Sequence, residues 1–253
     1  MELIGVAVMK YIKLAFLGFV FFALVSCARQ VLPNPETAAV FDAHLRQGAD
    51  YLSQGSYARA LEEFGKALAL NPASTRAHNL SGLAYFWQKD YRSAEDHFLK
   101  AITLNPSFAS AYNNLGGVYA MQNKWDSAEK MLKKAISLSP DMVSAYFSLG
   151  TVLFNRGEAE EGTACFAKGI ALDPDYLEKR STSVVGLAMR GASLSEICFA
   201  FAKLFAASGN IGRAVEFLNK AKQAGFHDWQ RIVQEKEFEK IRDDPKVRQF
   251  LKD

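Results

Sequence analysis

The sequence predicts an all-α solenoid of stacked helical hairpins closed by a C-terminal capping region. Three observations carry this reading. Pro72, Pro106, Pro140 and Pro174 stand 34 residues apart, and a fixed period of that length marks a stacked-repeat fold. Small and large residues recur in register between the prolines. After Pro174 the period breaks, and a degenerate fifth unit and a short tail follow. Folds of this kind expose long binding surfaces.

The chain opens on an address. Residues 14–25 are uncharged and apolar and follow Lys10 and Lys13. A basic stretch before a short apolar run reads as a secretory signal peptide, and the run is shorter than the roughly 20 residues a membrane-spanning helix needs. Met9 is a second candidate start, which would remove Glu2 from the basic stretch. The run ends in Leu24-Val25-Ser26-Cys27, which resembles the bacterial lipobox. The resemblance implies cleavage after residue 26, lipidation of Cys27, and a membrane anchor of several acyl chains. Ala28, by analogy with enterobacterial sorting, implies the outer membrane, facing the periplasm. Residues 27–34 form a tether, and Asn34-Pro35 reads as an N-cap and first helical residue.

Four repeats over 35–176 come next. The first carries Gly48, Tyr51, Gly55, Tyr57, Ala60, Phe64 and Ala67, and the second Gly82, Tyr85, Tyr91, Ala94, Phe98 and Ala101. The third carries Leu115, Gly116, Tyr119, Trp125, Ala128, Leu132 and Ala135. The fourth carries Leu149, Gly150, Leu153, Gly157, Gly162, Phe166 and Gly169. Small residues let paired helices approach, large ones fill the space between them, and each proline ends a second helix. Asn71, Asn105, Ser139 and Asp173 precede the prolines, where a turn is needed. Gly162 and Gly169 replace two alanines, which is expected to loosen that helix by about 1 kcal/mol each.

Over residues 41–176 these positions resemble the tetratricopeptide repeat family, which implies a right-handed solenoid whose first helices line a concave groove that binds a protein or peptide. The resemblance points five positions of each first helix into that groove. These are Leu45, Ala49 and Leu52 in the first repeat and Arg76, Asn79, Leu83, Phe86 and Trp87 in the second. The third gives Ser110, Asn113, Gly117, Ala120 and Met121, and the fourth Ser144, Phe147, Thr151, Phe154 and Asn155. Independently, Asn79, Leu83 and Phe86 share a helix face by spacing, as do Phe147, Thr151 and Phe154. The aromatic residues and asparagines suggest an apolar groove that bonds a peptide backbone. The competing reading is that some of them pack against the C-terminal segment. Arg76 is the one basic residue at these positions, too few for the family's carboxylate clamp.

Residues 177–194 are an insertion, read either as a groove-edge loop or as a spacer. Ser193 and Glu196 then read as a capping box, and Phe201, Phe205, Gly209, Ala214, Leu218 and Ala221 restore a degenerate repeat within 195–253. Gly225 stops its second helix, Asp228 reads as an N-cap, and Asp244-Pro245 opens the last helix. The stretch from Phe238 to Phe250 resembles tails that close such solenoids. Cys165 and Cys198 are read as two buried free thiols, the alternative being that they pair in an oxidising periplasm. His44 and His78 occupy one repeat position and read as packing neighbours, because two histidines make an incomplete metal site.

Composition narrows function further. The formal net charge is +3, and Lys and Arg are interleaved with Asp and Glu, so nothing marks a nucleic-acid face. No HExxH motif, phosphate loop or GxSxG elbow occurs in the sequence, which argues against an enzyme, a cofactor, a metal or a small-molecule substrate. The expectation is a lipid-anchored scaffold of the bacterial envelope, in the assembly of a pilus, secretion or cell-wall complex. The alternative is a periplasmic chaperone or carrier for exported clients.

Overall fold

The structure is a computed structural model that describes residues 35–174, 176 and 194–252. The expected signal segment, Cys27, the expected tether, Ser193 and nearly all of residues 177–194, read above as an insertion, lie outside the described residues. The chain divides into a unit of residues 1–43, described only as the opening turns of α1, and a unit of residues 44–253 that carries everything below.

Helices pair along the chain. They are α1 (Pro35–Ser53) with α2 (Tyr57–Leu70), α3 (Thr75–Trp87) with α4 (Tyr91–Leu104), α5 (Ala109–Met121) with α6 (Trp125–Leu138), and α7 (Val143–Arg156) with α8 (Ala159–Leu172). A fifth pair, α9 (Leu194–Ala207) and α10 (Ile211–Gln223), is followed by α11 (Arg231–Gln234), a 3-10 turn at Lys236–Phe238, α12 (Pro245–Arg248) and a 3-10 turn at Gln249–Lys252. Each second helix packs on the next first helix, and α3, α5 and α7 touch in succession as an inner layer.

Local chemistry explains the boundaries. Ser74 and Asp90 cap α3 and α4, accepting hydrogen bonds from the amides of Ala77 and Ser93 at 3.1 Å each. Past the second helices, Asn71 and Asn105 fold back to accept from Ala73 and Ser107, the turn chemistry that the proline ladder requires. Asp244 caps α12 through the Lys246 amide as expected. Asp228 does not cap a helix: α11 starts at Arg231, whose amide bonds the Asp228 backbone carbonyl.

Within the pairs, one contact repeats. A Cβ on Gly48, Gly82, Gly116 or Gly150 would lie 2.4–2.7 Å from Phe64, Phe98, Leu132 or Phe166 respectively. The fourth pair adds two contacts of opposite sense. A Cβ on Gly162 would meet the Phe154 ring at 2.5 Å and the Gly150 carbonyl at 2.9 Å, and one on Gly169 would meet Phe147 at 2.8 Å. These glycines therefore do not merely loosen α8, as expected from helix propensity. They make room for two phenylalanines from α7. Gly162→Ala, which restores the common repeat residue, is expected to lower stability by about 1–2 kcal/mol. The overpacking outweighs the ~1 kcal/mol gain in helix propensity. Urea unfolding measures the sign, and a more stable variant would refute the packing.

The C-terminal core is a run of rings. Phe154 stacks on Phe166, Phe166 meets Phe201 at 4.5 Å, and Phe201 meets Phe217 at 5.1 Å. Phe199 continues through Phe226 and Trp229 to Phe250 in the tail.

Candidate functional site: the inner face of the first helices

The second and third repeats leave part of this face accessible. Asn114 Nδ2 donates to Asn79 Oδ1 at 2.9 Å, and Asn113 Nδ2 donates to Asn114 Oδ1 at 3.3 Å. This amide ladder joins α3 to α5. It ends in Asn113 Oδ1, which is buried without a hydrogen bond. Beside it, half-buried Leu83, Trp87 and Met121 pack over Phe86, Leu115 and Val118. Arg76 is exposed at the edge of the face.

Burial corrects seven of the expected groove residues, and Leu45 and Gly117 are the two that lie in the first and third repeats. Phe86 is 5 % exposed, under the edge of Trp87 at 5.6 Å and beside Tyr91. Asn79, 7 % exposed, is held in the ladder. In the fourth repeat Phe147 is fully buried, stacked on Tyr176 at 5.0 Å and against Phe201 at 5.8 Å. Thr151 is buried, with its hydroxyl donating to the Phe147 carbonyl, and Phe154 is 8 % exposed on Phe166. Asn155 is half-buried and donates to the Thr151 carbonyl of its own helix. In the fourth repeat the physical reason is twofold. Gly162 and Gly169 open the space, and the fifth pair supplies the rings that close it. The competing reading, packing against the C-terminal part of the chain, holds for this end of the face.

The tail continues that closure. A left-handed turn residue separates the two helices of every pair: Gly55, Lys89, Asn123 and Gly157, then Gly209. Aligning on it places Glu196, Phe199, Lys203 and Ala207 where Arg76, Asn79, Leu83 and Trp87 stand in the second repeat. Each of these four touches the tail. Arg231 pairs with Glu196 at 2.8 Å and lies 4.5 Å over the Phe199 ring. Lys203 pairs with Glu235 at 2.5 Å, and Lys240 donates to the Ala207 carbonyl at 3.0 Å. Phe199 also packs on Phe238, which is fully buried. The tail thus lies along the inner face of α9. Sequence reasoning assigned it to capping but not to this face; Gly209 in register with Gly157 was the available signal. A cavity of about 420 Å³ remains between the tail and the fourth repeat, lined by Phe154, Glu160, Lys203, Arg231 and Glu237 among others.

Elsewhere, His44 and His78 are not partners. His44 bonds Glu63 at 2.6 Å, and Lys66 holds the same carboxylate. His78 bonds His97. Cys165 and Cys198 are free thiols, the first half-buried and the second buried. Burial pushes the Cys198 thiol up to about 11, so it stays protonated and unreactive. No helix of the described residues is long and apolar enough to cross a membrane.

Stacked hairpins with an amide-lined, partly apolar inner face define a repeat scaffold. The chain belongs to the tetratricopeptide repeat family. Family models described as tetratricopeptide repeat match residues 45–109, 109–142 and 143–176, together just over half of the chain. The matches end before the fifth pair. Comparison of the sequence with curated proteins gives no match. Among solved structures, pilF of Pseudomonas aeruginosa is 20 % identical over 85 % of this chain and 90 % of its own, with a TM-score of 0.58. A thermophilic TPR protein of Thermus thermophilus is 20 % identical over 77 % and 96 %, with a TM-score of 0.54. An O-GlcNAc transferase mutant of Thermobaculum terrenum is 21 % identical over 55 % of this chain and 27 % of its own, with a TM-score of 0.52. At these identities the likeness shows the fold. Proteins of this family generally act as non-catalytic scaffolds for protein partners.

Proposed function

We propose that this protein is a lipid-anchored scaffold of the bacterial envelope, on the periplasmic side of the outer membrane, that holds an extended segment of a partner during assembly of an envelope complex. The anchor rests on Leu24-Val25-Ser26-Cys27 behind an apolar run. The observation that carries the binding site is the accessible patch of Leu83, Trp87 and Met121 beside the unbonded Asn113 carbonyl. Trp87 supplies the large aromatic anchor that dominates such interfaces.

A photo-cross-linking residue at position 87 of the full chain, introduced in cells, tests this reading. One dominant protein adduct is expected there and none at Leu99, which is exposed on α4. Trp87→Ala is expected to weaken binding of that partner by about 2 kcal/mol, roughly thirtyfold. Cys27→Ser is expected to release the protein from the membrane fraction. Equal adducts at both positions, or a membrane-bound Cys27→Ser protein, would refute the proposal. Many weak adducts at position 87 would point to a client-holding chaperone instead.

A further inference from the structure

The second hairpin carries a pair of imidazoles that the scaffold reading leaves unused. His78 on α3 and His97 on α4 face each other with Nδ1 atoms 3.2 Å apart. His78 Nε2 lies 3.1 Å from the Pro72 carbonyl oxygen. A carbonyl only accepts, so Nε2 carries the hydrogen, and neutral His78 presents a bare Nδ1 lone pair. A backbone carbonyl holding the distal ring nitrogen is the arrangement that orients metal-binding histidines.

We propose that His78 and His97 form a two-imidazole site for a divalent transition-metal ion of the zinc and nickel kind. Zinc–nitrogen bonds of about 2.0–2.1 Å in a tetrahedron put two ligand nitrogens about 3.3 Å apart, close to the separation in the structure. Both rings are partly accessible, so an ion can enter. The Tyr85 ring packs 5.3 Å from His97 and steadies it. The equivalent positions pair His44 with Glu63 in the first repeat, and are Tyr112 with Met131 and Tyr146 with Cys165 in the next two. The second repeat alone places two imidazoles there. Among the described residues no three His, Cys, Asp or Glu side chains gather as a metal group, so water or a partner's side chain completes the coordination.

The test uses the full chain stripped with a chelator and titrated with Zn²⁺ or Ni²⁺ by calorimetry. One ion per chain is expected to bind at this site. His78→Gln and His97→Gln are each expected to weaken that binding at least ~tenfold, and His44→Gln to leave it unchanged. In the unsubstituted protein, paramagnetic Ni²⁺ is expected to broaden the imidazole signals of His78 and His97 before those of His44 and His227, a readout independent of whether the variants fold. Absence of binding, binding that survives either substitution, or broadening centred on other histidines would overturn the site and leave a hydrogen-bonded imidazole pair.

Discussion

Phe147→Ala is expected to lower stability by about 3–5 kcal/mol, the range for emptying a buried phenylalanine site. Its ring is fully buried among Phe166, Tyr176 and Phe201. The space it occupies exists because Gly169 has no Cβ. Neighbouring helices cannot collapse into the void without breaking the stack of rings that joins the fourth pair to the fifth. Stability in a repeat array is a sum of local terms, so the loss should be local. Hydrogen exchange is expected to lose protection in α7–α10 while α3–α6 keep theirs. A loss below about 1 kcal/mol would place Phe147 on an open face after all, and would restore the groove expected from the resemblance.

Phe238→Ala is expected to cost a similar ~3–5 kcal/mol, with a different consequence. Phe238 is fully buried against Phe199. It pins the segment carrying Arg231, Glu235 and Lys240 across α9. A solenoid end without a cap exposes apolar surface. The variant should therefore bind a hydrophobic dye and self-associate, even where circular dichroism still reports helices. Light scattering and dye fluorescence measure this. The exposed hydrogen bond from Lys240 to the Ala207 carbonyl contributes little by comparison, so Lys240→Ala is the mild control. A monomeric Phe238→Ala protein of unchanged stability would show that the tail is an appendage rather than a closure.

The legible and illegible parts divide along a physical line. Pro72, Pro106, Pro140 and Pro174 announced the hairpins because proline acts on the backbone beside it. Gly48, Gly82, Gly116 and Gly150 announced the close approaches because their partners recur at fixed spacing. The inner face was half legible. Leu83, Trp87 and Met121 lie where the repeat puts them, partly accessible. Phe147 and Phe154 occupy the corresponding positions of the fourth repeat and are buried. Nothing local distinguishes Phe86, Phe147 and Phe154 as groove or core, since a phenylalanine serves either.

By itself the sequence determined the period, the hairpins, the family and the capped far end, because each depends on backbone chemistry or on contacts between residues at constant separation. Only the tertiary structure decided where the open face stops. That boundary depends on Tyr176, Phe201 and the tail from Arg231 to Lys240 reaching residues far away in the chain. Which of two apolar faces is covered is set by what folds back onto it, and no spacing rule within a helix encodes that.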